Sequence, residues 1–160
     1  MSYILIPYTE IRIPSREKLP EKIIFSPILE TFLYYRNHQT SFSFYSVVDS
    51  GADFCVFPAR FGELIGIDIK KGELKPSFGV GGMESLYFHH IKVGLIIKGD
   101  IWKFSCYAGF STKMNVKGTG LLGRNGFFDL FEEVSLNQNK RMFKLKLADD
   151  GSLQRTLTFE

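Results

Sequence analysis

The sequence predicts a mainly β, single-domain protein with one or two short helices. Three observations carry that reading. Sixteen Phe and seven Tyr, with frequent Val and Ile, suit the pleated, half-buried surface of a sheet. Fifteen Gly supply corners between strands. Apolar segments of strand length recur along the chain between clusters of Gly, Pro, Asn and Asp. With 160 residues, 44% of them hydrophobic, the chain is long enough for one well-cored domain and too short for two ordinary ones.

From the N-terminus, Ser2 to Ile13 reads as two extended segments broken at Pro7 and closed at Pro14, and residues 15–21 as a charged connector containing Pro20. Residues 1–26 are thus an N-terminal arm or a set of extra strands. Pro27 to Tyr35 and Ser41 to Val48 flank the polar loop Arg36-Asn37-His38-Gln39-Thr40, a hairpin that delivers Asp49. Pro58 opens a short helix that ends at Gly66, followed by a charged connection from Ile67 to Leu74. Phe78 to Phe88 holds Gly79, Gly81 and Gly82 between two strand patterns, a flexible hairpin tip. His89 to Lys98 and Ile101 to Ala108 form another pair, joined across Gly99-Asp100. A glycine-punctuated stretch from Gly118 to Gly126 precedes one or two helical turns at residues 127–131, and a hairpin around Asn137-Gln138-Asn139-Lys140 closes the domain. Residues 148–160 read as a tail.

Composition excludes several function classes. A net charge of +3, from 20 basic and 17 acidic residues spread along the chain, gives no basic patch to track a phosphate backbone, so nucleic acid is not an expected partner. No run approaches the ~20 apolar residues of a membrane helix, and Met1 to Tyr8, with no basic residue and only a short apolar run, reads as a strand instead of a leader. A soluble, cytoplasmic protein is the default expectation. Cys55 and Cys106 lack the spacing of a metal site and read as small buried hydrophobes.

The stretch Tyr45-Ser46-Val47-Val48-Asp49-Ser50-Gly51-Ala52-Asp53 sets a carboxylate between two core segments. Burying an ionised carboxylate is costly unless it is paired, so Asp49 is either a structural anchor or a functional group. Other candidates are weaker. Gly118-Thr119-Gly120-Leu121-Leu122-Gly123 matches a dinucleotide fingerprint in letters but lacks the long helix that must follow. His89 and His90, adjacent on a strand, point to opposite faces and do not easily share an ion. Trp102 suits the core better than a ligand platform.

Three stations in order, Val48-Asp49-Ser50-Gly51-Ala52-Asp53, Gly79-Val80-Gly81-Gly82 and Gly120-Leu121-Leu122-Gly123-Arg124-Asn125, resemble those of retropepsin-like (retroviral-type) aspartic proteases. The resemblance spans residues 27–147. It implies a closed β-barrel of the acid-protease fold, with Asp49 as the catalytic carboxylate and Ser50 Oγ bonding across a subunit interface. Gly51 and Ala52 would leave room for a peptide backbone, and Asp53 would contact substrate and pair with Arg124. A partly buried Arg124 beneath the site, needing a carboxylate to offset its desolvation, is a structural support. The hairpin carrying Val80, Gly81, Gly82 and Met83 would form a flap over an extended polypeptide.

An aspartic protease needs two carboxylates sharing one proton. This chain has one Asp-Ser-Gly, since Asp149-Asp150-Gly151-Ser152 runs in the wrong order. The second aspartate must come from another copy, so the resemblance implies a homodimeric endopeptidase that needs no metal or organic cofactor. The alternatives are an inactive peptide-binding or dimerisation module of the same fold and, more distantly, a barrel for small molecules.

Overall fold

The computed structural model describes residues 2–149 and 153–156. In chain order the strands are β1 (Tyr3–Pro7), β2 (Thr9–Ile13), β3 (Lys22–Ser26), β4 (Ile28–Tyr35), β5 (His38–Gln39), β6 (Phe44–Val48) and β7 (Val56–Pro58). There follow α1 (Ala59–Leu64), β8 (Glu73–Gly79), β9 (Gly82–Ile97), β10 (Asp100–Ser111), β11 (Gly120–Leu122), β12 (Phe131–Asn137), β13 (Met142–Leu147) and β14 (Gln154–Thr156). The mainly β expectation holds, with α1 the single α-helix among the described residues.

Six strands close on themselves in the order β10-β7-β11-β6-β4-β9, because β9 pairs both with β4 and with β10. Closure removes the free edges that an open sheet of this size would present. Alternation supplies the barrel's filling. Leu29, Thr31 and Leu33 of β4 and Phe44, Ser46 and Val48 of β6 are buried beside Phe57, Val93, Leu95 and Phe110. The two interior hydroxyls satisfy each other: Thr31 and Ser46 hydrogen-bond at 2.8 Å, which makes their burial tolerable.

A second sheet, β1-β13-β12, and a two-stranded ribbon, β2-β3, complete the fold. Ile4, Ile6 and Phe25 pack against the main core, and Tyr8 is buried in it, so the first 26 residues contribute to the protein's interior. No helix among the described residues is long and apolar enough to cross a membrane.

Several elements differ from the sequence reading. Residues 82–97 form one strand where two were expected. The buried positions switch parity between Phe88 and Ile91: Leu86 and Phe88 face a small cluster with Val56, whereas Ile91, Val93 and Leu95 face the main core. One continuous strand thus serves two cores from opposite faces, which imitates a break in the pattern. The following turn is Lys98-Gly99, one residue earlier than expected, with both residues left-handed (φ 53° and 83°) between the paired Ile97 and Asp100. Lys22–Ser26, unassigned from the sequence, is β3. Residues 128–130 make one 3-10 turn, and β12 begins at Phe131. Within the expected tail, β14 pairs with Ile101, Trp102 and Lys103; the rest of that tail, including Asp150-Gly151-Ser152, lies outside the described residues.

Candidate active site

Asp49 is the first residue beyond β6, and two neighbours place it. Val48 N–H donates to the Pro27 carbonyl (2.8 Å) and Asp49 N–H to the Leu122 carbonyl (3.0 Å), extending the parallel pairing of β6 with β11. The chain then reverses. Ala52 N–H donates to the Asp49 carbonyl at 3.2 Å, and Gly51 N–H donates to Asp49 Oδ1 at 2.8 Å. This is the side-chain-closed turn that Asp favours before Gly. One carboxylate oxygen is oriented by its own turn, and Asp49 stands half-buried at the barrel's end.

The segment after β11 staples that turn. Arg124 N–H donates to the Ala52 carbonyl (2.9 Å), Nη1 to the Ser50 carbonyl (2.7 Å) and Nη2 to the Asp53 carboxylate. Asn125 donates twice to the Asp53 carbonyl, from N–H (2.8 Å) and from Nδ2 (2.7 Å). Gly123 is required by this closeness, since a Cβ there would run into the backbone carbonyl oxygens of Phe54 and Ala52. The expected Asp53–Arg124 pair is therefore present. Its surroundings differ from expectation: the Arg124 side chain is 51% exposed and that of Asp53 70%, so no buried guanidinium calls for compensation. The arginine's value is geometric, a planar fork that bonds the Ser50 carbonyl and the Asp53 carboxylate together.

The turn forms one wall of a cleft of about 560 Å³. The other wall is the β8–β9 hairpin. Of the sequence-predicted residues, Asp49, Gly51, Ala52, Asp53 and Val80 line it. Ser50, Gly81, Gly82, Met83 and Arg124 do not. Ser50 is exposed beside the turn, and Val80, Gly81, Gly82 and Met83 are exposed at the hairpin tip, where Gly82 adopts φ 98°. The hairpin is anchored close behind its tip, at Glu84. Ser111 Oγ donates to Glu84 Oε1 at 2.5 Å, Lys113 N–H approaches the same oxygen at 3.4 Å, and Met114 N–H donates to Ser111 Oγ at 3.1 Å.

Sequence reasoning missed the cleft floor. Phe54, Val56, Leu86, Phe88 and Leu121 line it, with Lys75 above them. The parity switch along β9 was the available signal, because Leu86 and Phe88 cannot face the same core as Ile91 and Val93. Tyr107, which packs against this floor, donates through its hydroxyl to Glu73. That bond, with Lys75 beside it, holds Glu73 below the usual carboxylate range, and Glu73 pushes the Tyr107 hydroxyl up.

The remaining candidates are structural. Cys55 and Cys106 are free and buried; contact with Cys55, then burial, raises the Cys106 thiol far above its ordinary range, leaving it protonated and unreactive. His89 Nε2 lies 2.8 Å from the Ile69 carbonyl oxygen, and His90 lies against the Tyr107 ring. Among the described residues no group of three or more His, Cys, Asp and Glu is placed to hold a metal ion.

No protein-family model and no curated protein matches the sequence. Among solved structures, the fold is similar to the crystal structure of a retropepsin-like aspartic protease from Rickettsia conorii, with a TM-score of 0.52 and 13% identity, over 92% of this chain and 94% of that one. At that identity the likeness is one of fold. The closed six-stranded barrel with very little helix is thus a retropepsin-like, acid-protease fold.

Proposed function

We propose that the protein is an aspartic endopeptidase that works as a homodimer, each chain contributing Asp49. The observation that carries this reading is the placement of the Asp49 turn in a cleft faced by a glycine-tipped hairpin, on a retropepsin-like fold. Two Asp49 carboxylates brought together across a two-fold axis would not both ionise, so one proton is shared. The ionised carboxylate takes a proton from water as the water oxygen attacks the peptide carbonyl, and the protonated one gives its proton to the carbonyl oxygen. As the resulting diol collapses, the carboxylate now ionised takes a proton from a diol hydroxyl, the carboxyl that took the water proton gives it to the amine nitrogen, the C–N bond breaks, and an acid and an amine leave. Gly51 N–H, already on Asp49 Oδ1, keeps the carboxylate oriented through these transfers. Ser50, exposed next to it, would bond the partner's turn. Phe78, Val80 and Met83, all more than half exposed on the hairpin, would be covered when a polypeptide occupies the cleft.

A second reading, an inactive peptide-binding or dimerisation module, uses the same cleft without the chemistry. Incubating the purified protein and its Asp49→Asn variant with an unfolded polypeptide, from acidic to neutral pH, separates them. Cleavage by the wild type alone supports the peptidase. Equal cleavage by both, or none by either under dimer-forming conditions, would sink it.

A further inference from the structure

Lys75 lies on β8 at the mouth of the cleft's apolar floor, a charge among rings. Its Nζ is 5.2 Å from the Phe88 and Tyr107 ring centroids and 5.8 Å from that of Phe54. These ring faces hold the ammonium in place without using its three hydrogen-bond donors. The nearest carboxylate, Glu73, stands 3.7 Å away, longer than a charge-assisted hydrogen bond of roughly 2.7–2.9 Å. Glu73 turns Oε1 to Lys75 in this loose ion pair and accepts the Tyr107 hydroxyl on Oε2. The Lys75 side chain remains 37% exposed and lines the same cleft as Asp49.

We infer that Lys75 is a specificity-determining residue, and that the subsite it caps takes a substrate side chain ending in a carboxylate, with glutamate fitting best. The inference rests on the peptidase reading of this cleft and names the substrate class for it. The methylenes of glutamate cover Leu86 and Phe88, and its carboxylate gives the Lys75 ammonium the short hydrogen bond that its 3.7 Å pair with Glu73 does not make. Leucine would cover the floor but take water from the ammonium without replacing it. Lysine would meet a like charge. Of the other acids lining the cleft, Asp53 is matched by Arg124 and Asp49 is the group assigned to the chemistry. Glu73 opposes an incoming carboxylate in part, which keeps the preference moderate.

The test uses fluorescein-labelled peptides in which glutamate, glutamine, leucine or lysine is moved through the positions flanking a constant apolar pair. At one position the wild type should cleave the glutamate peptide about tenfold better in kcat/KM than the lysine peptide. Lys75→Met, which keeps the apolar stem over the rings, should level that ratio, Lys75→Glu should reverse it, and Lys75→Arg should restore it. An unchanged ranking in Lys75→Met, or no acidic preference at any position in the wild type, overturns the inference while cleavage itself leaves the peptidase reading intact. The same peptides are titrated by fluorescence anisotropy against Asp49→Asn with and without Lys75→Met. Tighter glutamate binding that Lys75→Met removes supports the subsite even if the wild type cleaves nothing, in which case only the peptidase reading falls. Absence of both cleavage and charge-selective binding overturns both.

Discussion

At the scale of single residues, the turn that carries Asp49 is held by groups that do little for global stability and much for position. Arg124 bonds to Ser50 and Asp53 from an exposed side chain, and exposed ion pairs contribute no more than about 1 kcal/mol. Arg124→Ala is therefore expected to lower denaturant stability by at most about 1 kcal/mol while reducing peptide cleavage by a larger factor, as kcat/KM against unfolding midpoints will show. Gly123→Ala should behave oppositely. Its new Cβ meets the backbone carbonyls of Ala52 and Phe54, which cannot swing away as a side chain would, so a stability loss of roughly 1–3 kcal/mol is expected in chemical denaturation. Glu73 carries a pH signature. Its carboxylate is held low by the Tyr107 hydroxyl and then by Lys75, and a depressed carboxylate adds stability above its unfolded-state pKa that is lost as pH falls through its folded-state pKa. Tyr107→Phe should therefore flatten the acid limb of the stability–pH profile below the ordinary glutamate range and leave the neutral part of its slope unchanged.

At the scale of elements, the β8–β9 hairpin combines an open tip with an anchor close behind it. A Cβ built on Gly79, Gly81 or Gly82 meets nothing within 4 Å, whereas Glu84 is bonded to fully buried Ser111. Glu84→Ala should speed amide hydrogen exchange of the residues after Gly82 and cost about 1 kcal/mol overall; unchanged exchange there would show that this part of the hairpin is held by strand pairing alone. The same hairpin shows what the sequence discloses. Gly79-Val80-Gly81-Gly82 marks the tip in letters, and Pro58 with Gly66 marks α1, because turns and caps write their geometry into one or two residues. The single strand β9 was illegible as one unit because its burial changes face where its partner changes from β8 to β4. Lys22–Ser26 and Gln154–Thr156 form strands through their partners β2 and β10, a relation no local pattern reveals. In the site, Asp49, Asp53 and Arg124 were legible from a motif, while Lys75 and the aromatic floor required knowing which strands lie side by side.

At the scale of the molecule, the first strands belong to the structure they precede. β1 pairs with β13 over Tyr3 to Pro7, and Ile4 and Ile6 cover the main core. Removing residues 1–7 should lower the melting temperature and expose β13 as an unpaired edge, so that the shortened chain aggregates on heating where the full chain does not. The proposed chemistry also belongs to this scale, since one chain supplies one Asp-Ser-Gly. The most direct measurement mixes wild-type protein with increasing mole fractions of Asp49→Asn, allows the subunits to exchange, and follows peptide cleavage. If activity needs an Asp49 from each of two chains, it falls as the square of the wild-type fraction, to about a quarter at equal mixing. A fall in direct proportion to that fraction, or no fall at all, would contradict the account.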